Sequence, residues 1–359
     1  MASCVEKGAG RESLVDVARC VANYLIVILH AGGAACQYGV GGSAEYLAGM
    51  FLTDVLANVA LPALFLVSGY LLFRGYSVAA WPRRMWRRVR RFMPPYLLWN
   101  SAFVLFYLAC AQFAPRLRAR VEAFGIDTFR GALAKIADLT VQPIDVPFWY
   151  VRTLLLFAVV SPCLWVALRG RLGRWLGGGA VLSYYVLCLQ PDGACFVVPG
   201  HPPFALVAFY AGGLVAVSGQ SLAEAFRGWL WPVTGVAAVT VHTAAFAGYG
   251  MDLDWSVCGL LKVPLFFWLL GHLPLARIVS SRVFACAQDN AFFVFAGHFL
   301  FCSLWVHGLG PRLPDLPFGS FFLPALLFCV PGLATTVLVH RLARRISFRL
   351  TCFWDGNLR

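Results

Sequence analysis

The chain has 359 residues, of which 60% are hydrophobic and only 13% are charged, and its formal net charge is +13. Globular domains carry about 25% charged and 45–50% apolar residues. The composition therefore excludes a water-soluble domain and indicates a multi-pass membrane protein. The 12 Cys are scattered without a CxxC pair or a Cys/His spacing suited to zinc, so we expect neither a disulfide framework nor a metal site.

Ten apolar segments predict the fold, because a helix needs about 20 mainly apolar residues to cross a bilayer. We predict an all-α polytopic bundle of about ten transmembrane helices within a single domain, 1–359. The first segment contains charged residues and lacks a small-residue cleavage site, so it is not a signal peptide. The predicted spans are 14–35, 51–73, 94–113, 147–168, 175–190, 204–219, 230–249, 256–273, 291–307 and 320–341.

The distribution of Lys and Arg predicts the orientation of this bundle. With the N-terminus in the cytoplasm, 21 of the 29 basic residues fall in cytoplasmic segments and 6 in external ones. Both termini are therefore expected to be cytoplasmic, with 341–359 as a basic tail. The net charge then reflects topology and contact with membrane lipid, and nucleic acid is not expected as a partner. Residues 114–146 are external in this scheme, and Pro115–Leu139 is predicted to form one amphipathic helix there.

A polar stripe runs along the first span, where Asp16, Arg19, Asn23 and His30 recur at helical spacing. Arg19 and His30 are eleven residues apart, which places them on one face and about 16 Å apart along the axis. Ionisable side chains in a membrane usually face a bundle interior or a cavity. The stripe therefore indicates a polar seam from the inner boundary to the outer half. A structural alternative is an Arg19–Asp16 pair with a histidine bonded between helices.

Five sequence motifs follow one another along the chain. They are Val15-Asp-Val-Ala-Arg19 followed after ten intervening residues by His30-Ala31, Leu61-Pro-Ala-Leu-Phe-Leu-Val-Ser-Gly-Tyr70, Arg87-Arg-Val-Arg-Arg-Phe-Met-Pro-Pro-Tyr96, Pro147-Phe-Trp-Tyr-Val-Arg152 and Ala291-Phe-Phe-Val-Phe-Ala-Gly-His298. In this order they resemble the acyltransferase type 3 family of integral membrane acyltransferases. Ala63, Tyr150 and Gly297 depart from the family pattern without removing a chemical group. We expect a stand-alone member without an appended extracellular esterase-like domain.

The resemblance implies a membrane O-acyltransferase of the bacterial inner membrane. Such an enzyme moves an acyl group, most often acetyl, from cytoplasmic acyl-CoA to a hydroxyl group. The acceptor is typically a surface glycan or its lipid-linked precursor, and the expected donor is acetyl-CoA or another acyl-CoA, with no metal. Succinyl or a longer acyl group stays open as the transferred group.

Three side chains are candidate catalytic residues. His30 is the candidate base, because imidazole titrates near neutral pH; covalent transfer through a ring nitrogen is the open alternative. Arg19 is suited to binding phosphate oxygens of the donor at the inner boundary. Arg152 would stabilise a developing oxyanion or orient the acceptor, or else lie at the interface beside Trp149.

The remaining candidates would bind substrate or CoA. Ser68 and Tyr70 offer hydroxyl groups, and Gly69 would permit close backbone approach, with close helix packing as its alternative. We place His298 closer to Arg19 than to His30, as a CoA contact, a second proton carrier or an interhelical bond. The complete set of substrate- or CoA-binding candidates is Asp16, Asn23, Ser68, Gly69, Tyr70, Trp149 and His298.

Two further basic features have competing interpretations. The run from Arg83 to Arg91 contains six Arg and would dock CoA phosphates, but binding to anionic lipid headgroups is the favoured interpretation. Lys262, within a predicted span, is expected to extend to the membrane surface or pair with Asp252 or Asp254.

Two other function classes fit parts of the sequence. A transporter or flippase for a lipid-linked glycan or small solute also has many spans and polar residues near the midplane. A non-catalytic assembly partner would require neither His30 nor Arg19. The enzyme interpretation requires a hydrated tunnel that joins the inner face to His30.

Overall fold

A computed structural model describes residues 2–36, 51–112, 115–137, 143–190, 201–246, 254–309 and 323–346. The described residues are helical and contain no strand, which confirms the all-α prediction. The helices are α1 (Ala2–Cys36), α2 (Ala60–Phe73), α3 (Trp81–Cys110), α4 (Pro115–Phe124), α5 (Phe129–Ala137), α6 (Phe148–Arg169), α7 (Arg171–Cys188), α8 (Pro203–Val217), α9 (Leu222–Ala225), α10 (Leu230–Phe246), α11 (Trp255–Gly271), α12 (Leu275–Val279), α13 (Arg282–Leu309) and α14 (Leu323–Ile346).

Five of the described segments are long and apolar enough to cross a membrane, and α8, α10 and α11 are shorter apolar helices. The five are Ser13–His30, Phe51–Phe73, Trp81–Cys110, Phe148–Arg169 and Arg282–Cys302. Phe51–Phe73 is the most enclosed of them, since 83% of its most apolar window is buried. It forms the centre of the bundle, and the protein is a multi-pass membrane protein.

Two helices begin well before the apolar segments that predicted them. The span predicted from residue 94 belongs to α3, which begins at Trp81, and the span predicted from residue 291 belongs to α13, which begins at Arg282. Hydropathy detects only the part of a helix that lies in hydrocarbon. The polar turns that continue the same helix therefore escape it.

The prediction of one amphipathic helix over Pro115–Leu139 is wrong, because α4 and α5 are separate. Gly125 ends α4 with φ of 63°, a left-handed conformation that glycine adopts at little cost. The hydroxyl oxygen of Thr128 then accepts a hydrogen bond from the Gly131 backbone N–H at the start of α5. Residues 138 and 139 lie outside the described residues.

The central helix contacts α8 so closely that two glycines are required. A Cβ atom on Gly69 would lie 1.9 Å from the carbonyl oxygen of Phe209, and one on Gly212 would lie 1.9 Å from that of Leu66. Side chains therefore cannot separate the two backbones at these levels. This contact holds α8 against α2 on the side opposite the candidate site described below.

Lys262 is buried inside the bundle, so the prediction that it reaches the membrane surface is wrong. Its ammonium group donates hydrogen bonds to the carbonyl oxygen of Val55 at 2.6 Å and to Nδ1 of His242 at 3.1 Å. Beside Lys262, a π-helical turn, Phe51–Leu56, is followed by a tighter 3-10 turn, Ala57–Val59. Because the two turns have different hydrogen-bond spacings, backbone carbonyl groups at their junction can accept from the Lys262 side chain. Asp254 instead caps α11 by accepting from the Ser256 and Val257 N–H groups.

Candidate active site

A cavity of about 1010 Å³ lies between α1, α2, α3, α6 and α13, and Arg344 of α14 also lines it. Seven Arg and two Asp, Asp16 and Asp289, contribute to its wall. The arginines are Arg19, Arg74, Arg84, Arg87, Arg88, Arg91 and Arg344. This concentration of guanidinium groups is chemically suited to an anionic ligand.

The arginines of α3 reach the cavity as one helical face. Arg84, Arg87, Arg88 and Arg91 recur at offsets of three, four and seven residues, which align on one side of a helix. Among the described residues of the same run, Arg83 and Arg90 do not line the cavity. The sequence favoured lipid binding for the whole run, whereas the structure places part of it at the cavity. Four of its six arginines face the cavity.

The polar stripe of α1 is divided in the same way. Asp16, Arg19 and Asn23 line the cavity together with Ser68 of α2. His30, seven residues beyond Asn23, does not line it, and by helical rise it lies about 10 Å further along α1. The cavity therefore provides part of the expected tunnel, as far as Asn23, and the continuation of the tunnel to His30 stays a prediction.

Aromatic and hydroxyl side chains form the far end of the cavity. Tyr150 of α6 and Phe295 of α13 both line it there, and their rings meet edge to face at 5.9 Å. The phenol oxygen of Tyr150 lies 2.8 Å from Oγ of Ser68. Phe295 lies one turn before His298 on α13, so this end of the cavity is directed towards the region that contains His30 and His298.

His30 and His298 are direct partners. Nδ1 of His30 lies 3.1 Å from Nε2 of His298, and the two ring centres are 5.2 Å apart. The prediction that His298 lies closer to Arg19 is wrong, because it counted the rise of α13 from residue 291. Since α13 begins at Arg282, His298 lies nine residues further from the start of the helix and reaches the level of His30.

Arg152 lies elsewhere, next to a third histidine. Arg152 is 3% exposed. Burial of His201, and to a smaller extent the charge of Arg152, lowers the pKa of His201 to about 4. The hydroxyl group of Thr153 donates to the carbonyl oxygen of Trp149, so its oxygen accepts from Nδ1 of His201 at 2.8 Å. Trp149 packs against the rings of Phe65 and Phe204. Among the described residues, neither Arg152 nor Trp149 lines the cavity.

The residues that follow Ser68 also lie away from the cavity lining. Gly69 faces the backbone of α8, so we correct its expected contact with a ligand to a packing role. Tyr70 is 5% exposed, and the guanidinium of Arg74 lies 5.9 Å from the centre of its ring. Of the three consecutive motif residues, only Ser68 reaches the cavity among the described residues.

Sequence reasoning missed several cavity residues. No motif in the sequence contains Gln288, Asp289 or Arg344, which all line the cavity. Tyr150 was noted only as a departure from a family pattern. The one available signal was the helical spacing of the arginines in α3. The contributions of α13 and α14 could not be found without knowing which helices pack side by side.

Comparisons with known proteins identify the family of the chain. A family model described as "Acyltransferase domain" matches residues 13–341. The chain is 24% identical over 326 residues to the succinoglycan biosynthesis protein ExoH of Rhizobium meliloti (strain 1021), covering 86% of this chain and 81% of that protein. No solved structure matches the chain.

Proposed function

The chain belongs to the acyltransferase type 3 family, and from this premise we propose that it transfers an acetyl group from acetyl-CoA to a glycan hydroxyl. The acceptor is a surface polysaccharide or its lipid-linked precursor, and the protein works in the bacterial inner membrane. The name of the relative in Rhizobium meliloti, a succinoglycan biosynthesis protein, supports a polysaccharide as the acceptor class.

The arginine-lined cavity is the observation that supports an acyl-CoA as the donor. Coenzyme A ends in a 3′-phosphate and a pyrophosphate, and guanidinium groups bind such oxygens through paired, charge-assisted hydrogen bonds. Seven arginines from four parts of the chain converge on one cavity, whereas an acetyl group or a neutral sugar would need none of them. The chemistry of the wall therefore fits the nucleotide end of an acyl-CoA.

The size and shape of the cavity fit the same ligand. Pockets for small molecules and cofactors commonly measure about 300–1,000 Å³, and this cavity of about 1010 Å³ lies at the upper end. Four of the seven arginines lie in the first part of α3 and Arg74 follows the end of α2, while Leu64, Tyr150 and Phe295 line the other end. A CoA with its phosphates among the arginines would extend its pantetheine arm towards Tyr150 and His30.

The reaction requires a base for the acceptor hydroxyl, and His30 supplies one in this proposal. A ring nitrogen of His30 takes the hydroxyl proton as the oxygen attacks the thioester carbon. The C–S bond then breaks, and the departing thiolate takes up the proton. Transfer through an acyl-imidazole at the same ring is the second route, in which the thioester carbon first bonds to nitrogen.

Purified protein in liposomes tests the proposal. Acetyl-CoA labelled in the acetyl group is supplied together with lipid-linked glycan, and both free CoA and labelled glycan are measured. We expect equal amounts of both products from the wild type, and losses of at least about a hundredfold in His30→Ala, the scale of acid–base catalysis. Succinyl-CoA is tested in parallel, so that a succinyl transferase is recognised as such.

Two results would contradict the proposal. Movement of glycan across the liposome membrane without release of CoA would identify a transporter. Full transfer by His30→Ala, with normal insertion of the protein, would remove His30 from the chemistry while leaving the donor assignment intact.

A further inference from the structure

The hydrogen bonds around His298 determine which of its nitrogens carries a proton. Nδ1 of His298 lies 2.8 Å from the carbonyl oxygen of Val294, one turn earlier on α13. A carbonyl oxygen only accepts, so Nδ1 must be the protonated nitrogen. His298 is fully buried, and a charged imidazole there is costly. In the neutral ring, Nε2 is therefore an acceptor.

The same reasoning assigns the proton on His30. Nδ1 of His30 faces two acceptors, the carbonyl oxygen of Ile26 at 3.1 Å and Nε2 of His298 at 3.1 Å. With two lone pairs directed at it, Nδ1 must carry the proton. Nε2 of the neutral His30 ring is then the unprotonated nitrogen. The opposite tautomer would need a cationic His298 and would direct the lone pair of His30 at the Ile26 oxygen.

We propose that His298 is a positioning residue that makes Nε2 of His30 the reactive nitrogen of the acyl transfer. The inference rests on the proposed function and specifies the atom that performs it. His298 holds the ring of His30 in one tautomer and orientation across the contact between α1 and α13. A carboxylate has this role beside the histidine of many hydrolases; here a second, neutral imidazole has it.

The proton balance of the reaction follows from this assignment. Nε2 of His30 accepts the proton of the acceptor hydroxyl, and the ring becomes an imidazolium. Its Nδ1–H still donates to Nε2 of His298, and this bond becomes stronger because the donor is now charged. The proton on Nε2 then passes to the thiolate of CoA, and both rings return to their starting states. In the acyl-imidazole route, Nε2 attacks the thioester carbon and the C–S bond breaks to release the CoA thiolate; the acceptor hydroxyl then displaces Nε2 from the acyl group, and its proton passes to the thiolate.

Two substitutions at residue 298 separate this role from simple packing. Leu in place of His298 removes the acceptor, and we expect kcat to fall by at least about tenfold while KM for acetyl-CoA stays within about twofold. Gln offers an amide oxygen that can accept from Nδ1 of His30, so His298→Gln should recover a substantial part of that kcat. The matched control is His340→Leu, since His340 is also fully buried and bonds to Asn290 of α13.

Nitrogen NMR on the wild-type protein in lipid shows directly which ring nitrogen of His30 carries the proton. With ¹⁵N-labelled histidine, and His30→Ala to identify the signals, we expect a protonated Nδ1 and a bare Nε2 for His30. His298→Leu should make the two tautomers of His30 interconvert, whereas His340→Leu should leave its signals unchanged.

Each outcome decides the matter. Wild-type kcat in His298→Leu, equal loss in the Gln and Leu variants, or a protonated Nε2 in resting His30 would overturn the role of His298 and leave the proposed function standing. Absence of acyl transfer by the wild type would overturn both.

Discussion

The phenol oxygen of Tyr150 lies 2.8 Å from the hydroxyl oxygen of Ser68, and both side chains line the far end of the arginine-rich cavity. His30 lies about two helical turns beyond Asn23, which lines the same cavity. Tyr150 also contacts Phe295, one turn before His298, so its phenol ring lies on the side of the cavity towards the two histidines. This geometry assigns the phenol ring a part in selecting the acyl group.

Replacing Tyr150 by Leu should widen the range of acyl groups. The smaller side chain leaves room for extra methylene groups, and we expect the ratio of butyryl to acetyl transfer to rise about tenfold. The ratio is measured with both acyl-CoAs in competition, so it does not depend on how much protein folds. Tyr76→Leu is the control, because Tyr76 makes a similar bond to Ser161 at 2.9 Å and lies outside the lining. An unchanged ratio in Tyr150→Leu would contradict selection by this residue.

Replacing Arg88 by Gln should weaken donor binding specifically. Hydrogen bonds to charged groups contribute about 1.5–3 kcal/mol, so KM for acetyl-CoA should rise roughly tenfold to a hundredfold with kcat little changed. Arg90→Gln alters the same helix, but Arg90 does not line the cavity among the described residues, and its KM should remain near the wild-type value. Equal effects of the two substitutions would indicate a general effect of charge at the lipid surface.

Replacing Gly69 by Ala should destabilise the bundle. The new Cβ would lie 1.9 Å from the Phe209 carbonyl oxygen, so α2 and α8 would have to move apart. We expect a lower midpoint of thermal unfolding in detergent and less monodisperse protein. Gly179→Ala is the comparison, because a Cβ there meets nothing within 4 Å, and alanine favours a helix by about 1 kcal/mol. A Gly69→Ala protein as stable as Gly179→Ala would refute the packing assignment.

Replacing Asp145 by Asn should remove a dependence of stability on pH. Asp145 precedes α6, its fully buried carboxyl group has no hydrogen-bond partner among the described residues, and burial raises its pKa well above the usual range. The folded protein therefore keeps this group neutral. Its stabilising effect is complete below the ordinary Asp pKa of about 4, and it is lost as the pH rises towards the folded value.

The corresponding measurement is thermal stability of the two proteins from pH 4 to pH 8. We expect Asp145→Asn to match the wild type at pH 4 and to exceed it increasingly at higher pH, because the amide has no proton to lose. A constant difference across this range would show that Asp145 does not ionise with unfolding as inferred.

Hydropathy located the apolar parts of the described helices, because an apolar segment reports directly on burial in hydrocarbon. It could not find the polar turns that begin α3 and α13, and this error moved His298 away from His30. Helical spacing in the sequence alone predicted that Asp16, Arg19 and Asn23 lie on one face of α1. Their meeting with Arg88 and Asp289 depends on which helices are neighbours, and a single sequence contains no direct signal for that.

Lys262 shows the same limit in another form. Its position in an apolar segment indicated a residue that reaches the surface or pairs with an acid. Its partners are instead backbone oxygens at an irregular turn of Phe51–Phe73 and Nδ1 of His242. No side-chain pattern in the sequence predicts a π-helical turn, so this contact could be found only from the structure.

The most direct test of the account is to locate bound CoA by photo-crosslinking. A CoA analogue with a photoreactive group on its adenine is irradiated with the purified protein, and labelled peptides are identified by mass spectrometry. We predict labelling within Asp16–Asn23 and Arg84–Phe92, suppressed by excess acetyl-CoA and reduced in Arg88→Gln but not in Arg90→Gln. Labelling confined to segments outside the cavity, or labelling that acetyl-CoA does not suppress, would contradict the assignment of this cavity to the acyl donor.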